Sequence, residues 1–446
     1  MSELSELVRR VAERAAPGEQ IEVLAARGTT TSVKAYGGEV ESLTSAHSEG
    51  VGIRVVVDHR QGFAHCGTLD EAVVAETLAE ARDNASFGEP DEWHGVAEPD
   101  GVAQPPLSLW REELAAFPTE DKVELALALE RAVVGRDRRV RGVRTAAYGD
   151  ALGETAVATS TGVVAHERVS WCHLAVSALA ADGDETKVGV GVDAARLPAE
   201  LDLEGAAADA VDRAVRLFGA VKPPSQRLTV VLEPRLAAAV VGVVGGSLTG
   251  ERVLKGRSPF AERVGEAVAS PLLALVDDAT DERSMGAGHF DGEGLATRRT
   301  VLLEAGVLRG FLHDSYTGRR SGAGSTGSAV RTVRSTPVAG CQALAVAPGA
   351  GSLDDLVAGV DTGLLVQSLT GLHSGVNPVS GDVSIGVEGL MIRNGTPAEP
   401  VREATLASTL QRLLLDIRAV GSDLTWLPDG TGACTLVIDD VVLSGR

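Results

Sequence analysis

The chain has 446 residues, 44% hydrophobic but only 3% aromatic, with 62 acidic against 41 basic residues and a formal net charge of −21. That length predicts two or three domains with cores of small aliphatic side chains. The acidic balance argues against nucleic acid or a membrane as partner, because phosphate neutralisation needs clustered Lys and Arg, and no apolar run reaches the roughly 18 residues of a membrane span.

The first residues are acidic and amphipathic, unlike a signal peptide with its basic end and apolar middle, so a cytoplasmic location is expected. Leu4, Leu7, Val8 and Val11 recur at helical spacing behind Ser2, which predicts an opening helix over 2–16. Strand-like runs follow at 20–26, 29–36 and 50–57, with a hairpin turn at 58–62, and a helix over 70–84 closes the first unit. Residues 88–109 carry Pro90, Pro99, Pro105 and Pro106 and read as a linker. A helix from 118 to about 134, strands at 140–148, 155–160 and 164–180, and a helix over 203–218 form a middle unit. Pro223-Pro224 marks the next boundary, followed by an apolar strand at 228–232 and a helix over 235–244.

Cys66, Cys172, Cys341 and Cys434 lie far apart with no C-x-x-C pair, which predicts reduced, mostly buried thiols. His59, His65 and Cys66 do not form a metal set, since His59 falls in a turn and the other two point to opposite sides of a strand. Trp171 and His173 share a strand face and read as packing. Gly242, Gly245, Gly246 and Gly250 lack the order of a phosphate-binding loop and fit close helix or backbone packing.

The densest turn signal lies at 371–382, where three glycines, Asn377-Pro378 and His373 dictate a sharply folded loop. Val383, Ile385 and Val387 then alternate with polar or small residues toward Asn394-Gly395, a strand entering a type I′ turn. A helix over 404–420 and a last strand over 435–443 complete the pattern.

The run 375–384, the Asn394-Gly395 turn, Pro400-Val401-Arg402 and the stretch before Gly421-Ser422-Asp423-Leu424 together resemble the C-terminal part of the TldD/PmbA family. Val276-Asp277-Asp278, Phe290-Asp291-Gly292-Glu293-Gly294, Ala296-Thr297-Arg298-Arg299, Glu304-Ala305-Gly306-Val307-Leu308, Asp314-Ser315-Tyr316-Thr317-Gly318-Arg319-Arg320 and Ser325-Thr326-Gly327-Ser328-Ala329 follow the same pattern in order. His313 and Gly318 depart from it, which bears on fine specificity.

The resemblance implies an α+β fold in three parts: an N-terminal α/β domain over 1–88, a linker over 89–109, a middle sheet-and-helix domain over 110–222, and a β-rich C-terminal domain with a few helices over 223–446. In the metal-binding branch, the stretch matching 240–258 carries H-E-x-x-x-H, two histidines and a glutamate that hold zinc and activate water. Here Val241 and Gly246 fall at the ligand positions and Gly242 at that of the glutamate. The family's third ligand, a cysteine on a long loop, has no counterpart, because 423–434 is too short.

The resemblance is therefore to the PmbA, or TldE, branch: a subunit with no metal, no cofactor and no catalytic residue of its own. Its expected partners are a TldD-like subunit that supplies zinc and the general base, and a peptide or unfolded protein as substrate. His373, Asn377, Asp382 and Ser384 on the loop, with His313 and Tyr316, are candidates for a substrate groove. A Ser-His-Asp hydrolase can be drawn from these residues, but no G-x-S-x-G elbow supports it. The alternatives are a stand-alone peptide-binding or scaffold protein and, third, an autonomous non-metal hydrolase.

Overall fold

The computed structural model describes residues 2–446. One antiparallel sheet is built from β1 (Glu19–Tyr36), β2 (Glu39–Val57), β3 (Arg60–Cys66), β4 (Val140–Thr159), β5 (Val164–Asp182) and β6 (Glu185–Ala195), in the order β3-β2-β1-β4-β5-β6. β1 pairs with β4 from Glu22↔Thr159 to Ala35↔Ala146, so strands from both sides of the predicted linker share a single sheet. The runs 20–26 and 29–36 are one strand, and so are 140–148 and 155–160. The apparent break at Gly28 is instead a close approach: Gly28 faces Gly153 in register, and a Cβ there would lie 2.9 Å from the Leu152 carbonyl oxygen. Asp58 and His59 take φ of 50° and 60°, forming the expected tight turn between β2 and β3.

Strand alternation decides what each face meets. Ile21, Val23 and Ala25 of β1 pack beneath α1 (Glu3–Ala12, capped by Ser2) and α2 (Glu71–Phe87, capped by Asp70). On the same face Val33 and Ala35 belong to the core formed with α3 (Glu112–Ala115), α4 (Thr119–Val133) and α5 (Leu203–Val215). The opposite face, with Leu24, Val157 and Ala165, packs against Phe290 of the C-terminal part.

In that part, β7 (Gln226–Leu232) and the strands Thr362–Thr370, Asp382–Arg393, Thr396–Thr409 and Leu436–Ser444 form a barrel, closed where the last two strands named pair with each other. α6 (Pro234–Ser247) shares its apolar core. Asn394 and Gly395, with φ of 49° and 75°, make the predicted hairpin turn.

The expected helix over 404–420 is not formed. The chain stays in the Thr396–Thr409 strand, makes a short helix at Leu410–Leu415 behind the Thr409 cap, and re-enters a strand at Ile417–Val420. Apolar residues here satisfy both periods, and hydrogen-bond partners on both sides, Asp382–Arg393 and the final strand, select the extended form. Overall the fold is α+β.

A buried ionic cluster fastens the long sheet to the C-terminal part. Arg54 of β2 grips its cross-strand partner Glu22 through two bonds of 3.1 and 2.7 Å, and reaches Glu293 at 3.3 Å. Arg331 also pairs with Glu22, on the Oε1 that accepts from Arg54 Nε. Glu293 also accepts the Ser315 amide at 2.7 Å, while Asp291 accepts the amides of Glu293, Leu295 and Ala329. The two guanidiniums hold Glu22 below the usual carboxylate range despite its burial. Desolvation, with the neighbouring Glu293 charge, pushes Asp291 up to about 8; desolvation, with the charges of Glu22 and Asp314, pushes Glu293 up to about 7.

A carboxyl raised in the fold contributes stability that is full below its unfolded value of about 4 and is lost as pH rises through its folded value. Thermal melts are therefore expected to show Tm falling between about pH 4 and about pH 8, with a shallower fall in Glu293→Gln. An equal slope in both proteins would contradict the assignment.

Candidate functional site

The 371–384 loop projects from one end of the barrel and is folded by its own polar groups. Asn377 Oδ1 accepts the amides of Val379 (2.9 Å) and Ser380 (3.2 Å), the Asn377 amide donates to the Asp382 carbonyl at 2.8 Å, and the Ser380 hydroxyl donates to Asp382 Oδ2 at 2.6 Å. Gly381 sits at φ 81°, where a Cβ would strike Gln411 at 2.3 Å. A Cβ on Gly375 would meet the Ser384 carbonyl oxygen at 2.2 Å. Asn377 and Asp382 thus shape the loop, while His373, Asp382 and Ser384 remain exposed on its outside.

His313 and Tyr316 belong to a second constellation, and no hydrogen bond among the described residues joins it to the loop. His313 is 6% exposed, with Nδ1 3.2 Å from the Thr317 hydroxyl and its ring filling the space a side chain at Gly250 would need. Burial holds its pKa below the usual imidazole value, against the pull of Asp314. Tyr316 donates its hydroxyl to Asp91 Oδ2 at 2.8 Å and accepts from Arg320.

Asp91 lies in the 88–109 stretch, which contains neither helix nor regular strand and is pinned down at several points, with 98–104 exposed between them. Val96, Ala97 and Leu109 are buried, and Arg319 donates to the carbonyls of Trp93 (3.0 Å), Gly95 (2.8 Å) and Val96 (3.3 Å). His289 adds a bond to the Leu107 carbonyl and another to Glu167. The stretch is thus a strap across the C-terminal part. The basic residues of the Ser315–Ser321 helix, together with Tyr316, are its fasteners.

α6 carries the positions at which the metal-binding branch would place its ligands. Val241 is buried in the core, while Gly242 and Gly246 are exposed with nothing within 4 Å of where a side chain would begin. Of the four glycines expected to allow close packing, only Gly245, against Leu344 and Cys341, and Gly250, against His313, do so. Cys434 is fully buried in the same core as Val241, and burial pushes its thiol up to about 12, far from the thiolate a metal needs. Among the described residues no group of three His, Cys, Asp or Glu is placed to hold a metal ion. The residues at these positions therefore do not fit zinc, and no hydrolytic step runs through them. Nor is the barrel interior a channel, being filled by Val230, Leu232, Ile385, Leu406 and Ile438.

Sequence reading missed Glu22, Arg54 and Arg331. The signal was available for the first two, since a lone charge inside the apolar runs 21–25 and 51–57 marks a buried pair. Trp171 and His173 pack together as expected, their rings tilted by 31° with centroids 5.3 Å apart.

Three family models match in chain order: PmbA/TldA metallopeptidase domain 1 over 21–85, the central domain over 112–218 and the C-terminal domain over 225–445. Metalloprotease PmbA of Escherichia coli O157:H7 is 26% identical over 90% of this chain and 87% of that protein. The metalloprotease PmbA homolog of Haemophilus influenzae is 26% identical over 96% and 93%. The crystal structure of TldE from Thermococcus kodakarensis superposes with a TM-score of 0.89 over the whole of both chains at 23% identity, a likeness of fold.

Arg319→Ala removes three bonds to the strap and leaves the barrel strands untouched. Limited proteolysis is expected to cut within 90–108 several-fold faster than in the parent, with the remaining fragments stable. Unchanged cleavage would mean that the strap is held by other contacts.

Proposed function

Because the chain belongs to the PmbA/TldD metallopeptidase family, we propose that it is the non-metal subunit of a heteromeric peptidase acting on unfolded or small peptides, with a TldD-like partner supplying zinc and the general base. The observation that carries this reading is α6, the stretch that resembles the ligand-bearing motif of the metal-binding branch yet presents Val241, Gly242 and Gly246. A metal contributes several kcal/mol of transition-state stabilisation through Lewis acidity and an activated water. No side chain near α6 replaces either contribution.

What remains to this chain is shape. An ordered strap, a long sheet and a closed barrel together form a rigid wall against which a partner of similar fold can enclose a peptide. Two related scaffolds can pair across a pseudo-twofold interface, and a stable one buries upward of about 1,200 Å². The exposed end of the barrel, with His373, Asp382 and Ser384 on its loop, is the candidate surface facing the peptide. Among the described residues no helix is long and apolar enough to cross a membrane.

The test is co-expression with a TldD-like chain retaining H-E-x-x-x-H, followed by peptide cleavage assays on each chain alone and on the pair. Cleavage should require the pair and should stop with chelator. Full, chelator-insensitive cleavage by this chain alone would overturn the reading in favour of an autonomous hydrolase.

A further inference from the structure

The strap is held at its two ends by different chemistry. Toward its start, Arg319 binds the carbonyls of Trp93, Gly95 and Val96 with a guanidinium that never loses its charge. Toward its end the holding group is His289, in the loop between the Leu275–Asp278 and Arg299–Glu304 strands. Its Nδ1 lies 3.2 Å from Glu167 Oε2 on β5, and its Nε2 lies 3.1 Å from the Leu107 carbonyl oxygen.

Both partners can only accept. Neither a carbonyl oxygen nor a carboxylate has a proton to give, so both ring nitrogens must carry one for the two bonds to exist together, and that species is the imidazolium. A neutral ring sets one bare nitrogen against an oxygen lone pair and loses one of the bonds. Glu167 Oε2 is fixed in place by the His289 amide at 3.0 Å, and a bond to a carboxylate is about twice as strong as one to a carbonyl. The neutral ring therefore keeps Glu167 and gives up Leu107.

Charged groups surround the ring from each neighbouring element. Glu167 faces it from β5, Glu282 approaches from earlier in its own loop, and Asp291 and Glu293 follow it in the chain. Arg196, just after β6, and Arg111, at the end of the strap, stand near the two glutamates Glu167 and Glu282. The bond to Glu167 raises the imidazole pKa against the pull of desolvation, with help from the Leu107 carbonyl and Glu282.

Little else fastens the strap beyond Ala97. The Ser108 amide donates to Glu282 at 2.5 Å, Asp100 pairs with Arg298 at 2.5 Å, and the Leu107 carbonyl has no other hydrogen bond among the described residues. The exposed 98–104 segment runs between cavities of about 460 and 380 Å³ that share Asp100, Val102 and Leu295 in their walls, so there is open space on both sides of it.

We propose that His289 is a pH-operated clasp on the strap: the imidazolium pins Leu107, and release of its proton to solvent frees residues 98–108 to lift from the C-terminal part. Lifting merges the two cavities into one cleft over Leu295. The clasp is fully closed below the ordinary imidazole value of about 6.5 and is lost as pH rises through the raised value.

The test is brief digestion of the full chain with proteinase K from about pH 6 to about pH 9. Cutting within 98–108 is divided by that of a free peptide of sequence 96–110, so that the pH dependence of the protease cancels. The ratio should rise about fivefold or more along a one-proton curve with its midpoint above about 6.5. In His289→Gln the ratio should not change with pH. In Glu167→Gln, where the ring loses its anion, the midpoint should fall by about one pH unit. Glu293→Gln should leave the midpoint in place, which separates the clasp from the carboxyls that titrate in the same range. Nitrogen NMR of the parent labelled in histidine needs no variant: one ring should hold both protons to above about pH 6.5 and lose the one on Nε2 in step with the cleavage curve. A flat ratio in the parent, the same rise in His289→Gln, a midpoint set by Glu293, or no histidine titrating in step would each overturn the proposal.

Discussion

The architecture depends on a few charges placed where water cannot reach. Glu22 and Arg54 face each other across β1 and β2 on the side of the sheet turned toward the C-terminal part, and Arg331 and Glu293 reach up from that part to meet them. Burying such groups is expensive, and removing one partner of a buried pair typically costs about 3–5 kcal/mol because the other charge is left uncompensated. The cluster therefore specifies one docking of the sheet on the barrel-bearing half more sharply than the apolar contact of Leu24, Val157 and Phe290 could do alone. A sliding apolar surface tolerates small shifts, whereas a bidentate carboxylate-guanidinium pair does not.

The same geometry explains why family motifs are fixed by structure as well as by chemistry. Asp291 ties three backbone amides, Glu293 anchors the start of the Ser315–Ser321 helix, and Asp314 caps that helix through the Thr317 amide at 2.8 Å. Arg319, one turn further on, then holds the strap. A chain of contacts thus runs from the long sheet through the ionic cluster to the strap. In contrast, α6 presents bare glycines to open space, a helix surface with nothing to contribute to bond breaking and nothing to obstruct a neighbour.

Much of the fold was legible in the sequence wherever a single period dominated. The cap of α1 at Ser2, the turn at Asp58-His59, the Asn394-Gly395 hairpin and the apolar β7 all follow from local rules. Legibility failed where non-local pairing decided the outcome. Gly28 reads as a break until Gly153 is seen opposite it, and 404–420 reads as a helix until its flanking strands are placed. The 88–109 stretch reads as a linker because prolines forbid regular structure, yet proline says nothing about whether side chains such as Arg319 will bind the carbonyls left free. For the candidate site, sequence located the loop and its shaping residues but could not tell that His313 and Tyr316 serve a different region, since Gly250 and Asp91, which they meet, lie far away in the chain.

The central claim is that this chain leaves the hydrolytic metal to another subunit. The most direct measurement is elemental analysis of the purified chain after incubation with excess zinc and removal of loosely bound ions. The account predicts well under a tenth of an equivalent of retained zinc, because Val241, Gly242 and Gly246 offer no donor atom in their side chains and Cys434 is held as a buried thiol. Retention of about one tightly held zinc per chain would contradict it.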